Sequence, residues 1–307
     1  MQLFADIVMQ VTLPIIALVG MGFGAQRRLK LDVASLNRLL VFIIMPAFLV
    51  HFLSSARQPI AEIWPTVYFT AIQFALLMAV GWAAAKLFRL PAEYAAILTM
   101  ATVYGNVGNY GIPLVKLAFP DSFILHQSVI TSMMTMLIVS VGAWMLAPRT
   151  GATGILARLR VAFETPVVPA VALGLTLRAL EIRLPAIVGL PIELLGSTFP
   201  PLALFALGAQ LAETGRGEIK AGPMTLLLLL KLIIAPGLTW ALAIALAMPD
   251  ELADLYVVAA ATPVGVLLAL FCAEYGRQPR FVSGAVLIST LLSPLFVTGW
   301  ILLMRLT

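Results

Sequence analysis

Long apolar runs separated by short polar links are the feature that most constrains this chain. Roughly ten runs occur, each with about 20 residues, the length a helix needs to cross the hydrocarbon core of a bilayer. They cover residues 4–24, 35–55, 63–86, 93–118, 123–147, 164–182, 190–212, 222–247, 252–275 and 281–304. The sequence therefore predicts an all-α integral membrane protein with ten transmembrane helices.

The charge content agrees with a lipid environment. Hydrophobic residues make up 62% of the chain and charged residues only 11%, whereas soluble domains carry about 25% charged residues. The net charge is +5, but the basic residues lie in short clusters between the apolar runs. Such clusters are typical of loops that face the cytoplasm and anionic lipid head groups. We therefore predict membrane lipid, and no nucleic acid, as a partner.

The basic residues also predict an orientation. With the N-terminus outside, thirteen of the 19 basic residues fall in inside loops, five fall outside, and Lys231 lies within a run. The inside set is Arg27, Arg28, Lys30, Arg38, Lys86, Arg89, Arg149, Arg158, Arg160, Arg216, Lys220, Arg277 and Arg280, and the outside set is Arg57, Lys116, Arg178, Arg183 and Arg305. Because basic loops stay in the cytoplasm, we expect a multi-pass protein of the cell (inner) membrane with both termini extracytoplasmic.

The chain divides into two halves of five runs each, residues 1–147 and 161–307, joined by a cytoplasmic linker at 148–160. Five helices per half place the second half upside down relative to the first, and inverted repeats are typical of secondary transporters. Three pairs of helix-disrupting residues are each 155 positions apart: Pro14 and Pro169, Pro46 and Pro201, and Gly108 and Pro263.

The fourth run contains a cluster that does not suit an unbroken helix. Residues 104–113 include Asn106, Gly108, Asn109 and Pro113, together with further glycines. Glycine and proline interrupt helices, and the backbone groups that they free need partners inside a bilayer. Two asparagine side chains add polar groups that helix packing alone does not require. We therefore predict a broken helix here, as one half of a binding site.

The ninth run has a second break at Thr262, Pro263, Val264 and Gly265. Thr262 suits an N-cap and Pro263 suits the first helical position, as Asn109 or Gly111 would before Pro113. Each break then leaves a half-helix N-terminus near the membrane midplane, with exposed N–H groups and a partial positive charge that favour an anion. The alternative is that these residues only kink the helices for close packing.

Two polar residues inside runs could support this site. Lys231 lies half-way along the eighth run without a nearby carboxylate in the sequence, and a buried lysine needs a partner. Its ammonium could neutralise the carbonyl ends of the broken helices, or it could add positive field for a bound carboxylate. Gln73 in the third run could contact the breaks, or it could form an ordinary interhelical hydrogen bond.

No Asp, Glu or His lies mid-run, and we expect His51 and His126 on the surface near helix ends. Coupling of transport through a buried acid is therefore disfavoured, although backbone carbonyls could still bind sodium. The sequence has no phosphate-binding GxxxxGK[ST] loop and no HExxH, and its single Cys272 builds no metal site. We expect no enzymatic activity, no metal and no cofactor.

The residues 105–114, Gly-Asn-Val-Gly-Asn-Tyr-Gly-Ile-Pro-Leu, resemble the helix 4 signature of the auxin efflux carrier family, which contains the plant PIN-FORMED proteins and many bacterial carriers. Residues 261–265 and 273–276 are similar to its helix 9 signature. Helix 2, from Asn37 and Arg38 to Pro46, and helix 7, from Pro200 to Ala209, also look like this family. The resemblance covers the whole chain.

The resemblance implies a fold similar to NhaA and the bile-acid symporters, with crossed broken helices 4 and 9. Helices 1, 2, 6 and 7 would form a scaffold, and helices 3–5 and 8–10 a transport domain that moves as an elevator. It further implies a homodimer through the scaffold and an organic anion at the crossover, with Asn106 as a ligand. Similar members often carry an asparagine just after the second break, where this chain has Val264 to Leu268, so one side-chain ligand is missing.

Taken together, the sequence predicts a secondary transporter of small organic carboxylates. The predicted substrate-binding residues are Asn106, Gly108, Asn109, Pro113, Thr262, Pro263, Val264 and Gly265, with Lys231 and Gln73 as supporting groups. Two alternatives remain at this point. One is a sodium-coupled organic-anion symporter, and the other is an anion channel or ligand-sensing receptor that uses the same pocket.

Overall fold

The computed structural model describes residues 2–55, 60–146, 166–213 and 220–306. Within these ranges the chain is helical and contains no strand. We number the main helices α1 (Ala5–Leu29), α2 (Val33–Ser55), α3 (Ile63–Leu87), α4 (Ala92–Val103), α5 (Gly111–Ala118), α6 (Phe123–Gly142), α7 (Val167–Ala179), α8 (Ala186–Ser197), α9 (Phe199–Glu213), α10 (Ala221–Ala245), α11 (Asp250–Ala260), α12 (Val266–Glu274) and α13 (Pro279–Leu306). The predicted linker at 148–160 lies outside the described residues.

Six helices, α1, α2, α3, α6, α10 and α13, are long and apolar enough to span a membrane, and α8 with α9 forms a seventh candidate that is bent by 40°. The prediction of an all-α membrane protein is therefore confirmed among the described residues. Helices α4 and α7 are apolar but shorter. The full count of ten spans stays a prediction.

Three of the predicted runs are interrupted. The fourth run breaks between Val103 and Gly111, and the ninth breaks between Ala260 and Val266, as the glycines and prolines there predict. The sequence did not lead us to expect the third interruption, the bend at Thr198 between α8 and α9. Pro200 and Pro201 follow it directly, and a proline both lacks an N–H donor and clashes with the preceding turn.

Prolines also widen three of the long helices. Each of α1, α2 and α10 contains one π-helical turn, at Val8–Thr12, Leu40–Ile44 and Leu230–Ile234 respectively. Each turn ends two residues before a proline, namely Pro14, Pro46 and Pro236. Because proline removes a backbone hydrogen bond and pushes on the carbonyl of the preceding turn, a local widening relieves the clash without ending the helix.

The apolar core separates the helices into groups. The largest cluster draws on α3, α4, α6 and α10–α13, adds Val115 of α5, and contains no described residue of α1, α2 or α7–α9. A second cluster joins α2, α7 and α9 to one side of α5 and α6. A third joins α1 and α9 to α5, α11 and α13. The chain thus holds a cohesive bundle around both breaks, flanked by α1, α2 and α7–α9.

Helices α1 and α9 pack almost backbone to backbone. A Cβ atom on Gly22 would overlap the carbonyl oxygen of Phe205, and a Cβ atom on Gly208 would overlap that of Val19. In lipid, small residues stabilise helix pairs by allowing this close approach. The contact fixes the two helices as one unit beside the bundle.

Candidate functional site

The two breaks contact each other directly. The backbone N–H of Asn106 donates to the carbonyl of Pro263 at 2.7 Å, and the N–H of Gly265 donates to the carbonyl of Tyr104 at 3.2 Å. These bonds form an isolated antiparallel bridge between Gly105 and Val264. Backbone groups that the broken helices cannot satisfy internally therefore satisfy one another, as a low-dielectric interior requires.

Side chains from α6 satisfy the first break further. The carbonyl of Val107 accepts hydrogen bonds from Gln127 Nε2 at 2.8 Å and from Thr131 Oγ1 at 3.2 Å. Thr131 also bonds within its own helix, to the carbonyl of Gln127 at 2.8 Å. Polar side chains of α6 therefore pair a backbone carbonyl that the break leaves free.

A hydroxyl from α13 supports the second break in the same way. The N–H of Val264 donates to Ser289 Oγ at 3.0 Å, and both groups are buried. Each break is thus held by the other break and by one neighbouring helix. This common arrangement fixes residues 104–110 and 261–265 as a rigid, irregular centre of the bundle.

The predicted capping of the second break is wrong in detail. Thr262 does not cap α12, because its Oγ1 donates to the carbonyl of Ala259 at 2.7 Å in the preceding helix. Gly265 occupies the N-cap position without a side-chain bond, and the helix begins at Val266. Pro263 therefore lies in the break rather than in the first helical turn, where its carbonyl is engaged by Asn106.

At the first break, α5 begins at Gly111 with Tyr110 in the N-cap position and no side-chain cap. Neither Asn109 nor Gly111 caps it, so that prediction is also wrong. Pro113 is buried in the first turn of α5, where a missing N–H costs no intrahelical bond. The predicted start of the half-helix near Pro113 is confirmed.

Lys231 lies beside the bridge. Its side chain is 1% exposed, and Nζ lies 2.9 Å from the position a Cβ atom would take on Gly105. Thr262 Oγ1 crowds the same position, so the ammonium sits just past the C-terminal ends of both α4 and α11. No carboxylate forms an ion pair with Lys231 among the described residues. The two helix ends, each with a partial negative charge, are its nearest compensation.

Gln73 and His126 occupy buried positions away from the bridge. Gln73 Nε2 donates to Thr239 Oγ1 of α10 at 2.8 Å, which is the interhelical bond that the sequence allowed. His126 is not on the surface: it is buried on α6, and its Nδ1 lies 2.7 Å from Thr66 Oγ1. That hydroxyl also contacts Tyr256, so the histidine belongs to a polar link between three helices.

A cavity of about 710 Å³ reaches the first break. Asn106, Gly108 and Asn109 line it, whereas Pro113, Thr262, Pro263, Val264, Gly265, Lys231 and Gln73 are not among its lining residues. The predicted residues of the second break are thus brought next to the first, but behind it. Val266 and Leu267 line the cavity in their place, at the start of α12.

Asn106, which lines this cavity, has an unused donor that is itself buried. Its backbone carbonyl accepts bonds from the N–H groups of Tyr110 and Gly111, yet its side-chain Nδ2 has no hydrogen-bond partner. The residue is only 6% exposed. A buried amide without a partner costs about 1–3 kcal/mol, so a ligand that accepts from Nδ2 would recover that free energy.

Sequence reasoning missed the side chains at the cavity mouth. Asn37 and Arg38 of α2 and Gln210 and Glu213 of α9 line it there, with Gln210 Nε2 donating to Asn37 Oδ1 at 2.5 Å. The Asn-Arg pair was visible as part of the helix 2 pattern, but its position on the cavity wall depends on long-range packing. The mouth lies at the start of α2 and the end of α9, which the basic residues predict to face the cytoplasm.

Comparison with known proteins gives two findings. Residues 7–301 match a family described as membrane transport protein. The chain is also 28% identical over 285 residues to a protein named "Putative malonate transporter" from Rhizobium meliloti (strain 1021), a match that covers 88% of this chain and 86% of that protein. Both findings point to a transporter rather than an enzyme.

Proposed function

Because the chain belongs to the membrane transport protein family, we propose that it is a secondary transporter that carries small organic carboxylates by alternating access. It is a multi-pass membrane protein, and its resemblance to the auxin efflux carriers is confirmed by the family match. The substrate class, the binding site and the mechanism are the parts that we propose.

The observation that carries the proposal is the buried, unpartnered Nδ2 of Asn106, a residue that lines a cavity wide enough for a small anion and water. A carboxylate accepts hydrogen bonds only, and a bond to a charged acceptor is stronger than one between neutral groups. A carboxylate at this position would pair the free donor. Thr131 and Thr135 line the same region and would complete the polar surroundings.

Backbone electrostatics support an anion at this position. Helices α5 and α12 begin at the two breaks, at Gly111 and Val266, and helix N-termini carry a partial positive charge. When it is protonated, Lys231 would add a positive charge behind the bridge, next to Gly105. The carbonyl ends of α4 and α11 offset part of that charge, so we assign Lys231 a structural role first and a weak electrostatic role second.

The distribution of the apolar core supports an elevator mechanism. The bundle of α3–α6 and α10–α13 holds both breaks and the largest core cluster, while α1, α2 and α7–α9 lie beside it. We assign the first group to a moving transport domain and the second to a scaffold, with a homodimer through the scaffold. The cavity would then be the inward-open state, with both termini on the outer face of the inner membrane.

An inverted repeat would explain why each half of the chain contains one broken helix. Counting α4 with α5, α8 with α9 and α11 with α12 as single spans gives the ten predicted helices, five on each side of the linker. The two breaks then occupy equivalent fourth positions. Each break also forms hydrogen bonds with the fifth helix of its own half. The first break bonds to Gln127 and Thr131 of α6, and the second bonds to Ser289 of α13.

The name of the Rhizobium meliloti relative supports a carboxylate as the substrate, and malonate is the first candidate to test. Thermal unfolding of the detergent-solubilised protein would be measured with a panel of mono- and dicarboxylates. We expect a concentration-dependent rise in the unfolding temperature for one class of carboxylate, because a ligand that binds only the folded state stabilises it. No shift for any carboxylate, in a preparation that unfolds cooperatively, would contradict the proposed substrate class.

A further inference from the structure

Resting on the proposed function, we propose that Arg38 is a second anion contact, which binds the far carboxylate of a dicarboxylate and so sets specificity at the inward-open cavity. Arg38 lies on α2 at the cavity mouth and lines the same cavity as the first break. Asn106 would hold the near carboxylate, and the guanidinium of Arg38 would hold the other.

The spacing of two residues along α2 indicates where Arg38 lies relative to the first break. Met45 and Arg38 both line the cavity, and they are separated by seven residues, or about 10 Å along a helix. Met45 touches the break, since its Cε lies 3.2 Å from the position of a Cβ atom on Gly108. Arg38 therefore stands about two turns nearer the mouth, and an arginine side chain is long enough to reach the space between.

The charges around Arg38 leave its guanidinium available. Among the described residues it makes no ion pair or hydrogen bond, and its one electrostatic partner is the nearby carboxylate of Asp32. The carboxylate of Asp32 is engaged by Ser35, with bonds of 3.2 Å from the backbone N–H and 2.6 Å from the hydroxyl. Glu213, the acidic side chain on the cavity lining, accepts a bond from Gln26 Nε2 at 2.9 Å.

An arginine with free donors suits this task. The guanidinium presents five N–H donors in a planar fork that matches a carboxylate in a bidentate arrangement. Arg38 is the one described basic residue on the cavity lining, and it is exposed to the cavity mouth. A monocarboxylate would use Asn106 alone, whereas a dicarboxylate of suitable length would use both contacts.

The position of Arg38 on α2 also confines the contact with substrate to the inward-open state. Helix α2 contributes nothing to the core cluster around the breaks, so a transport domain that moves would carry Asn106 away from Arg38. The second contact then exists in the inward-open state only. Arg38 would tighten capture of dicarboxylates from the cytoplasmic side and would leave capture from the outside unaffected.

The test compares succinate with butyrate, which have the same carbon chain and differ by one carboxylate. Binding of each would be measured for the full chain, for Arg38→Gln and Arg38→Lys, and for the control Arg28→Gln, which removes an exposed charge at the end of α1. We expect Arg38→Gln to weaken succinate at least tenfold and butyrate less than twofold. Arg38→Lys should retain part of the preference, and Arg28→Gln should change neither affinity.

Equal effects of Arg38→Gln on both anions, or no effect on either, would overturn the assignment while leaving carboxylate transport intact. Failure of the unsubstituted protein to bind any carboxylate would instead overturn the proposed function, and the role of Arg38 with it. Because Arg38 is exposed, the unfolding temperature of the ligand-free variants should stay unchanged, which separates a binding defect from a folding defect.

Discussion

The backbone N–H of Asn106 donates to the carbonyl of Pro263 at 2.7 Å, and this bond joins two breaks that lie in opposite halves of the chain. Proline has no N–H of its own, so the pairing uses the carbonyl of Pro263. The bond also fixes the backbone of Asn106, whose side-chain Nδ2 stays without a partner. A fixed backbone that carries a free donor would preorganise the contact with the proposed anion.

Asn106→Ala should weaken carboxylate binding by about 10- to 100-fold, because a hydrogen bond to a charged group contributes about 1.5–3 kcal/mol. Isothermal titration or competition binding in detergent would measure the effect. Gln10→Ala, which removes an exposed amide from α1, serves as the matched control and should leave affinity unchanged. Unaltered binding in Asn106→Ala would show that the site is misplaced.

Gly105→Ala should destabilise the protein and abolish transport. Its Cβ atom would overlap Thr262 Oγ1 and would approach Lys231 Nζ to 2.9 Å, which forces the two breaks apart. Gly20→Ala is the control, since nothing lies within 4 Å of a Cβ atom there, and replacing a helical glycine stabilises by up to about 1 kcal/mol. Equal unfolding temperatures for the two variants would refute the tight bridge.

Lys231→Met separates the two roles of the lysine. The ammonium could chiefly offset the partial negative charge at the C-terminal ends of α4 and α11. Its loss should then cost about 2 kcal/mol of stability, which would lower the unfolding temperature measured without ligand. Affinity for the carboxylate should then fall less than tenfold, and Lys231→Arg should recover stability. A normal unfolding temperature combined with lost binding would assign Lys231 to the substrate instead.

Ser289→Ala tests the support of the second break. The variant leaves the buried N–H of Val264 without its acceptor, at a cost of about 1–3 kcal/mol. Ser283→Ala, which removes a hydroxyl from the cavity lining of the same helix, should lower the unfolding temperature less than Ser289→Ala does. Thermal unfolding in detergent compares them, and an equal loss in both would argue against a specific role for Ser289.

Local sequence was sufficient to predict the two breaks at the centre of the bundle, although it did not predict the bend at Thr198. Glycine and proline disrupt helices by their own backbone chemistry, so residues 104–110 and 261–265 stood out within apolar runs. The cost of polar groups in lipid identified Lys231 as a buried charge. It left Gln73 open between a contact with the breaks and an interhelical bond, and the structure shows the bond to Thr239. These predictions depend on short-range rules that tertiary packing does not reverse inside a bilayer.

Two features depend on distant partners and were mispredicted or missed, namely His126 and Arg38. The error at Thr262 is local, because its hydroxyl bonds back to the carbonyl of Ala259, three residues earlier in the chain. His126 lies near a helix end, yet Thr66 of α3 covers it. Arg38 reached the cavity wall through the packing of α2 against other helices, which no local pattern reports.

Counterflow in proteoliposomes tests the central claim most directly. Vesicles loaded with the unlabelled carboxylate that gives the largest thermal shift would be diluted into a trace of the labelled anion, in sodium-free buffer. We predict a transient accumulation of label above equilibrium, and its loss in Asn106→Ala. Accumulation only with sodium would indicate a symporter. Equilibration without accumulation would indicate a channel, and binding without any movement of label would contradict a transporter.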